Sequence, residues 1–205
     1  MDKFLLHYEY VFETAQNKLQ GFEDKRKGSH GELLEEMAFC LFAANSSAKM
    51  GLIACDLIRN SLNEELEVLR SKVYKKVRFY NKRIEYFHHN REYIKQNHED
   101  FSKLLSKFES ETELRRYFKD NLKGFGMKES SHFLRNTGYK GFAIIDKHVI
   151  AVLNEVFNLK VVAPKTVSEY EEIEAMMKRL AEKHGFDFDV LDLAMWSYKT
   201  GEIIK

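Results

Sequence analysis

The fold of this chain is decided by ten residues, Leu122-Lys123-Gly124-Phe125-Gly126-Met127-Lys128-Glu129-Ser130-Ser131. They lie between two helical patterns, Leu114–Leu122 and Glu129–Asn136. Two glycines around one apolar residue allow a tight hairpin between helices, with Phe125 turned inward as its anchor. We expect the hairpin amides to point outward and, with the next helix N-terminus, to form an anion site suited to a DNA phosphate. Taken alone, the turn is explained equally well by a glycine that ends a helix.

The composition predicts an all-α protein. The 205 residues include one Pro and 10 Gly, too few turn residues for a sandwich or a barrel. The 16 Phe and 10 Tyr supply enough apolar area to exclude disorder over most of the chain.

Several classes of protein are excluded at this stage. The two cysteines, Cys40 and Cys55, are too few for a disulfide framework, a Cys-rich zinc site or a four-cysteine iron–sulfur cluster. The eight histidines show no ligand spacing, so we expect neither a metal nor a cofactor. No apolar run approaches the roughly 18 residues of a membrane span, and the N-terminus lacks a signal-peptide pattern. We expect a cytoplasmic protein with no membrane partner.

Charge is distributed unevenly along the chain, although the formal net charge is only +1. From Lys72 to Lys128 we count 15 Lys and Arg against 8 Asp and Glu, a net charge of +7, so the remainder carries −6. This basic middle suggests a surface that faces a polyanion. A solvated helix face rich in lysine explains it about as well.

Hydrophobic periodicity predicts the helices on either side of the hairpin. We expect helices over 3–20, 32–44, 48–58, 99–107 and 111–121, with a loop from Gly21 to Gly31. The long apolar stripe from Leu62 to Phe87 is predicted to break near Asn81. Ser168 and Glu171 match a capping box that begins a further helix.

Two residues near the hairpin have the chemistry of a reactive site. Lys128 falls in the first turn of a helix, where the helix dipole disfavours an ammonium and makes a neutral amine nucleophile accessible. Asp146, eighteen positions later in the apolar stretch Ala143–Ile150, is either a helix N-cap, a catalytic carboxylate or both. The non-catalytic alternatives are that Lys128 only contacts a phosphate and that Asp146 is only a structural cap.

These segments carry a family resemblance. The stretch from Leu122 to Ile150 resembles the helix–hairpin–helix and Gly/Asp loop of the DNA glycosylase superfamily typified by endonuclease III. Its sequence, GMKESSHFLRNTG followed by AIIDKHVI, is most similar to that of the type-2, archaeal-type 8-oxoguanine DNA glycosylase/lyases. The resemblance includes Phe42–Lys49 and the C-terminal stretch from Met195 to Lys205. Two departures from the wider superfamily are Lys123, where many members have proline, and the missing cysteine cluster, so that no iron–sulfur cofactor is implied.

The resemblance implies a fold of two helical subdomains with the active site in the cleft between them. Residues 30–138 would form the helical barrel that carries the hairpin. Residues 1–29 and 139–205 would form the second subdomain. It also implies an enzyme that excises 8-oxoguanine from duplex DNA through a Schiff base on Lys128, with Asp146 stabilising the developing charge, and then nicks the strand by β-elimination.

The resemblance further implies roles for other residues. Recognition of the flipped base would fall to Lys205, Trp196 and Phe79. DNA contacts would come from Gly124, Phe125, Gly126, Asn45, Ser47 and Arg135. For some of these residues other interpretations stay open: Asn45 and Ser47 are equally good helix caps, Trp196 alone would be a core residue, and Arg135 either contacts DNA or supports other residues.

Three functional hypotheses follow, each with double-stranded DNA as the partner of a monomer. The first is the 8-oxoguanine glycosylase/lyase. The second is a related glycosylase/lyase for another oxidised base, because the pocket rather than the Lys128/Asp146 pair selects the lesion. The third is a helix–hairpin–helix DNA-binding module without enzymatic activity.

Overall fold

A computed structural model of the chain describes residues 1–203, and the regular secondary structure of this part is helical throughout. This confirms the predicted all-α class. The described helices are α1 Asp2–Asp24, α2 His30–Ala43, α3 Ala48–Ile58, α4 Leu66–Val73, α5 Tyr80–His98, α6 Phe101–Ser106, α7 Glu111–Asn121, α8 Met127–Asn136, α9 Lys147–Glu155, α10 Val167–His184 and α11 Phe188–Thr200, with 3₁₀ turns at Lys25–Lys27 and Arg59–Ser61. None of these helices is long and apolar enough to cross a membrane.

The chain divides into two compact units. One combines Met1–Glu23 with the chain from Leu134 onward, and the other is Asp24–Phe133. Helix α8 therefore begins in one unit and ends in the other. The subdomain limits at 30–138 and the cleft between the subdomains stay predictions.

The unit Asp24–Phe133 is built around α2, most of whose residues are apolar and fully buried. A helix that is apolar on nearly all sides must be surrounded by other helices. Four phenylalanines extend this core towards the hairpin: Phe101, Phe118, Phe125 and Phe133 lie with neighbouring ring centroids 5.2 to 6.5 Å apart.

In the other unit the N-terminal helix α1 packs on residues from the last third of the chain. Phe4 is fully buried, and its ring makes edge contacts with Phe157, Phe186 and Tyr198. The Tyr8 hydroxyl accepts a hydrogen bond from the Asp187 backbone N–H at 2.8 Å. These contacts bury the apolar face of α1.

Cap chemistry sets several helix starts, and at Ser47 it confirms one of the two interpretations of that residue. Ser29 begins α2 in a capping box with Glu32, and the Ser47 side chain accepts from the Met50 backbone N–H at the start of α3. A serine or threonine oxygen that accepts from the first turn stabilises a helix start by about 1 kcal/mol.

The break predicted near Asn81 in the long stripe is confirmed, because α4 ends at Val73, α5 begins at Tyr80 and Phe79 between them has a left-handed backbone. Other predicted boundaries were wrong. Helix α1 does not stop before Gly21 but continues through Asp24, because Phe22 packs into the core at 3% exposure. The capping box of α10 uses Thr166 and Glu169, two residues earlier than the predicted pair Ser168 and Glu171.

Candidate active site

The hairpin before α8 is anchored by Phe125, as predicted. Its side chain is 5% exposed, and its ring lies 6.2 Å from Phe118 and 6.1 Å from Phe133. Gly124 has a φ of +80°. A Cβ there would lie 2.6 Å from Tyr86 Cδ2, closer than carbon atoms approach in folded proteins. Glycine is therefore required here by both conformation and space.

One of the hairpin amides already has a hydrogen-bond partner within the chain. The Gly126 N–H donates to the Glu129 carboxylate at 3.3 Å, because a glutamate three residues along a helix start reaches back to the preceding amide. The Lys123 backbone is also held, by a reciprocal pair of bonds with the Asn90 side chain at 2.8 and 2.9 Å. A phosphate that binds at Gly126 must displace Glu129.

Replacing Gly124 by alanine is expected to lower the free energy of unfolding by about 2–4 kcal/mol, since strain at positive φ adds to overpacking. The matched control is Gly185→Ala, because Gly185 has a φ of +69° and a Cβ added to it would meet no atom within 4 Å. The control should lose only about 1 kcal/mol from backbone strain. Urea denaturation measures both variants, and equal losses would contradict the close approach at Gly124.

Lys128 is the second residue of α8 and lies in its first turn, as predicted. Its side chain is 32% exposed, so a ligand can reach the amine. The nearest carboxylate oxygen that the structure gives it is Glu129 Oε1, 3.9 Å from Nζ. At that distance the pair is loose, and the lysine amine is free to move to another partner.

Asp146 is the N-cap of α9, as one of its two interpretations predicted. Its Oδ1 accepts from the backbone N–H groups of His148 and Val149, at 2.8 and 3.0 Å. The second carboxylate oxygen, Oδ2, takes part in neither bond. The cap therefore fixes the carboxylate and leaves one oxygen for a proton or a developing positive charge.

Arg135 is buried, and its position favours internal support over DNA contact. Its side chain is 3% exposed, and its Nη1 donates to Asp192 Oδ2 at 2.8 Å. Burial raises the pKa of Asp192 to about 6, and the Arg135 guanidinium opposes that rise. With so little surface, Arg135 has no face for a phosphate in this conformation, so a DNA-binding role would require rearrangement.

Trp196 lies beside the start of α9. Its ring is half-buried and meets His148 edge to face, with 6.5 Å between the ring centroids. The structure thus brings the one tryptophan close to the helix start that Asp146 caps. Whether it stacks on a base stays a prediction.

Phe79 and the Asn45–Ser47 segment lie near each other in the unit Asp24–Phe133. Phe79 is 47% exposed with a φ of +57°, and the Arg78 guanidinium lies 4.5 Å from its ring centroid. Arg83 lies 5.8 Å from the same ring and donates to the Ala44 carbonyl, next to exposed Asn45. Exposed aromatic and cationic groups on strained backbone are typical of ligand-binding segments.

Lys205, one of the residues expected to recognise the base, lies outside the described residues. Within residues 1–203, no group of three or more His, Cys, Asp or Glu side chains is placed to hold a metal ion.

Sequence reasoning missed two acidic residues: Glu129, in the first turn of α8, and Asp192, which accepts from the Ile144 backbone two residues before Asp146. Glu129 could have been found from its spacing, because it is the third residue after Gly126. Asp192 had a weaker signal: a charged residue between Leu191 and Leu193 in an apolar stretch. A buried charge of this kind needs a partner.

The whole fold is similar to that of a solved DNA glycosylase. The crystal structure of the Methanocaldococcus jannaschii 8-oxoguanine glycosylase/lyase in complex with 15mer DNA containing 8-oxoguanine matches with a TM-score of 0.86. The match covers 100% of both chains at 30% identity. The fold is thus that of a helix–hairpin–helix DNA glycosylase.

Sequence comparison identifies the family. The profile of the 8-oxoguanine DNA glycosylase family matches residues 15–186. The 8-oxoguanine DNA glycosylase/AP lyase of M. jannaschii is 33% identical, over 95% of this chain and 93% of the relative. That of Thermoplasma volcanium is 35% identical, over 90% of this chain and 86% of the relative. The chain belongs to the 8-oxoguanine DNA glycosylase family.

Proposed function

We propose that this chain is a bifunctional DNA repair enzyme: it excises 8-oxoguanine from double-stranded DNA and then cleaves the strand as an AP lyase. The observation that carries the proposal is the position of Lys128: its amine is partly exposed and lies in the first turn of α8, directly after a hairpin of the type that binds DNA. An enzyme that used only activated water would not need this amine.

Access to the base requires the nucleotide to leave the duplex. Extrusion costs a few kcal/mol, which phosphate contacts to the hairpin and the basic middle offset. Phe79, which is 47% exposed, and Trp196, which is half-buried beside His148, are proposed to stack on bases. Lys205 is proposed, from the family resemblance alone, to help distinguish 8-oxoguanine from guanine.

The chemistry has two stages, release of the base and cleavage of the strand. Lys128 Nζ forms a bond to the sugar C1′ and gives up a proton as the bond from C1′ to the base breaks; the base leaves with the electron pair of that bond and is protonated, and Asp146 stabilises the positive charge that develops on the sugar. The C1′–O4′ bond then breaks, O4′ takes up a proton, and a Schiff base forms between C1′ and Nζ. Loss of a proton from C2′ breaks the C3′–O bond by β-elimination, which cleaves the strand on the 3′ side.

The cellular setting follows from the substrate. We propose that the protein acts as a monomer in the cytoplasm, associated with the nucleoid while it is bound to DNA. It requires no metal or other cofactor in this mechanism, because the amine and the carboxylate supply the nucleophile and the charge stabilisation.

The proposal is tested by single-turnover cleavage of four matched duplexes that carry 8-oxoguanine, guanine, an oxidised pyrimidine or an abasic site. We expect the 8-oxoguanine duplex to be cleaved at least tenfold faster than the guanine and oxidised-pyrimidine duplexes. Faster cleavage of the oxidised pyrimidine would assign a different lesion. Salt-sensitive binding with no cleavage of any duplex would indicate a DNA-binding module and overturn the enzyme.

A further inference from the structure

The segment that leads into Asp146 is held almost entirely by side chains. Residues 141–145 between α8 and α9 belong to no helix or strand in the described chain. Backbone N–H groups that are buried without partners cost free energy, so this segment needs acceptors from elsewhere. Four side chains provide them: Asp189 Oδ1 accepts from Gly141 at 2.9 Å, Glu174 Oε1 from Ala143 at 2.9 Å, Asp192 Oδ1 from Ile144 at 2.8 Å and the Tyr170 hydroxyl from Ile145 at 3.1 Å.

The four acceptors come from only two helices. Tyr170 and Glu174 are four residues apart on α10, and Asp189 and Asp192 are three apart on α11. Residues at these spacings lie on one face of a helix. The two faces together form a cradle of acceptors along residues 141–145.

Two members of the cradle make a second bond each. The Tyr170 hydroxyl also donates to the Ala143 carbonyl at 2.7 Å, so one phenol oxygen joins residues 143 and 145. Asp192 also accepts from Arg135, which orients the carboxylate that holds Ile144. Tyr170, Glu174 and Asp192 are all 5% exposed or less, so water does not compete for these bonds.

We propose that the Tyr170 hydroxyl, with Glu174 and Asp192, positions Asp146 for catalysis. This inference rests on the proposed catalytic role of Asp146. Ile145 directly precedes Asp146 in the chain. The Tyr170 hydroxyl that holds the Ile145 backbone therefore also limits the position of the Asp146 backbone, which carries the N-cap carboxylate. Because a shift of about 1 Å in a catalytic group can cost about 10²-fold in rate, loss of this hydroxyl slows base release without changing DNA affinity.

The test is Tyr170→Phe, with Tyr8→Phe as its matched control. Both tyrosines are buried, and both hydroxyls accept from a backbone N–H in the same unit, Tyr170 from Ile145 and Tyr8 from Asp187. Tyr170→Phe removes two hydrogen bonds and Tyr8→Phe removes one, so the first variant should lose somewhat more stability, and only its hydroxyl contacts the segment before Asp146. Thermal unfolding, the dissociation constant for the 8-oxoguanine duplex and the single-turnover rate at saturating enzyme are measured for each variant.

We expect Tyr170→Phe to release the base about tenfold more slowly, with a dissociation constant within about twofold of the wild-type value. Tyr8→Phe should keep the wild-type rate. A wild-type rate in Tyr170→Phe, or an equal loss in both variants, would overturn the inference alone. If the wild type and Tyr8→Phe are also inactive on the lesion duplex, the proposed function fails and the inference fails with it.

Discussion

Lys128→Gln is expected to abolish strand cleavage at 8-oxoguanine and to lower the rate of base release by at least about 10³-fold. Glutamine keeps much of the side chain but has no amine to form the bond to C1′. The rate is measured by single-turnover electrophoresis at saturating enzyme, so that a change in affinity does not contribute.

The matched control is Lys123→Gln, which removes the same charge from an exposed residue of the hairpin. A lysine that only contacts phosphate affects binding and its salt dependence, not the rate at saturation. We expect Lys123→Gln to bind several-fold more weakly and to react at the wild-type rate. A Lys128 variant that behaved in the same way would show that Lys128 is a phosphate contact and not the nucleophile.

Asp146→Asn is expected to slow base release by about 10²–10³-fold while leaving the fold nearly as stable as the wild type. The asparagine oxygen still accepts from the His148 and Val149 N–H groups, so the cap of α9 is kept. What is lost is the negative charge that stabilises the sugar cation. Single-turnover rates and thermal unfolding of the same preparations separate the two effects.

Asp146→Ala provides the comparison. It loses both the charge and the cap, so its free energy of unfolding should fall by about 0.5–2 kcal/mol while its rate falls as in the Asn variant. If Asp146→Asn were as active as the wild type and only Asp146→Ala were impaired, the carboxylate would be a structural cap.

The fold class and several helix starts were predictable because their signals are local. Ser47 and Asp146, both named as possible caps from the sequence, each accept from the first turn of the helix that follows, so a few consecutive residues carry the information. The same local signal failed where two patterns compete. Thr166–Glu169 and Ser168–Glu171 both match a capping box, and the structure uses the first pair.

The support of the candidate site was not predictable, because it depends on partners distant in sequence. Asp192 accepts from Arg135, 57 positions earlier, and from Ile144, 48 positions earlier. From sequence alone, an arginine next to a DNA-binding motif suggests a phosphate contact, whereas the structure pairs it with a buried acid. The engagement of Gly126 by Glu129 is a local contact, and its three-residue spacing was available to sequence reasoning.

The proposed mechanism depends above all on a Schiff base between Lys128 and the sugar of an 8-oxoguanine nucleotide. Borohydride reduction tests this most directly, because it converts the imine into a stable amine that links protein to DNA. The wild-type protein is mixed with an 8-oxoguanine duplex and borohydride, and the cross-linked peptide is identified by mass spectrometry. We predict a covalent band that is absent with a guanine duplex and a cross-link that maps to Lys128. A cross-link at another amine, or no covalent band with the lesion duplex, would contradict the mechanism.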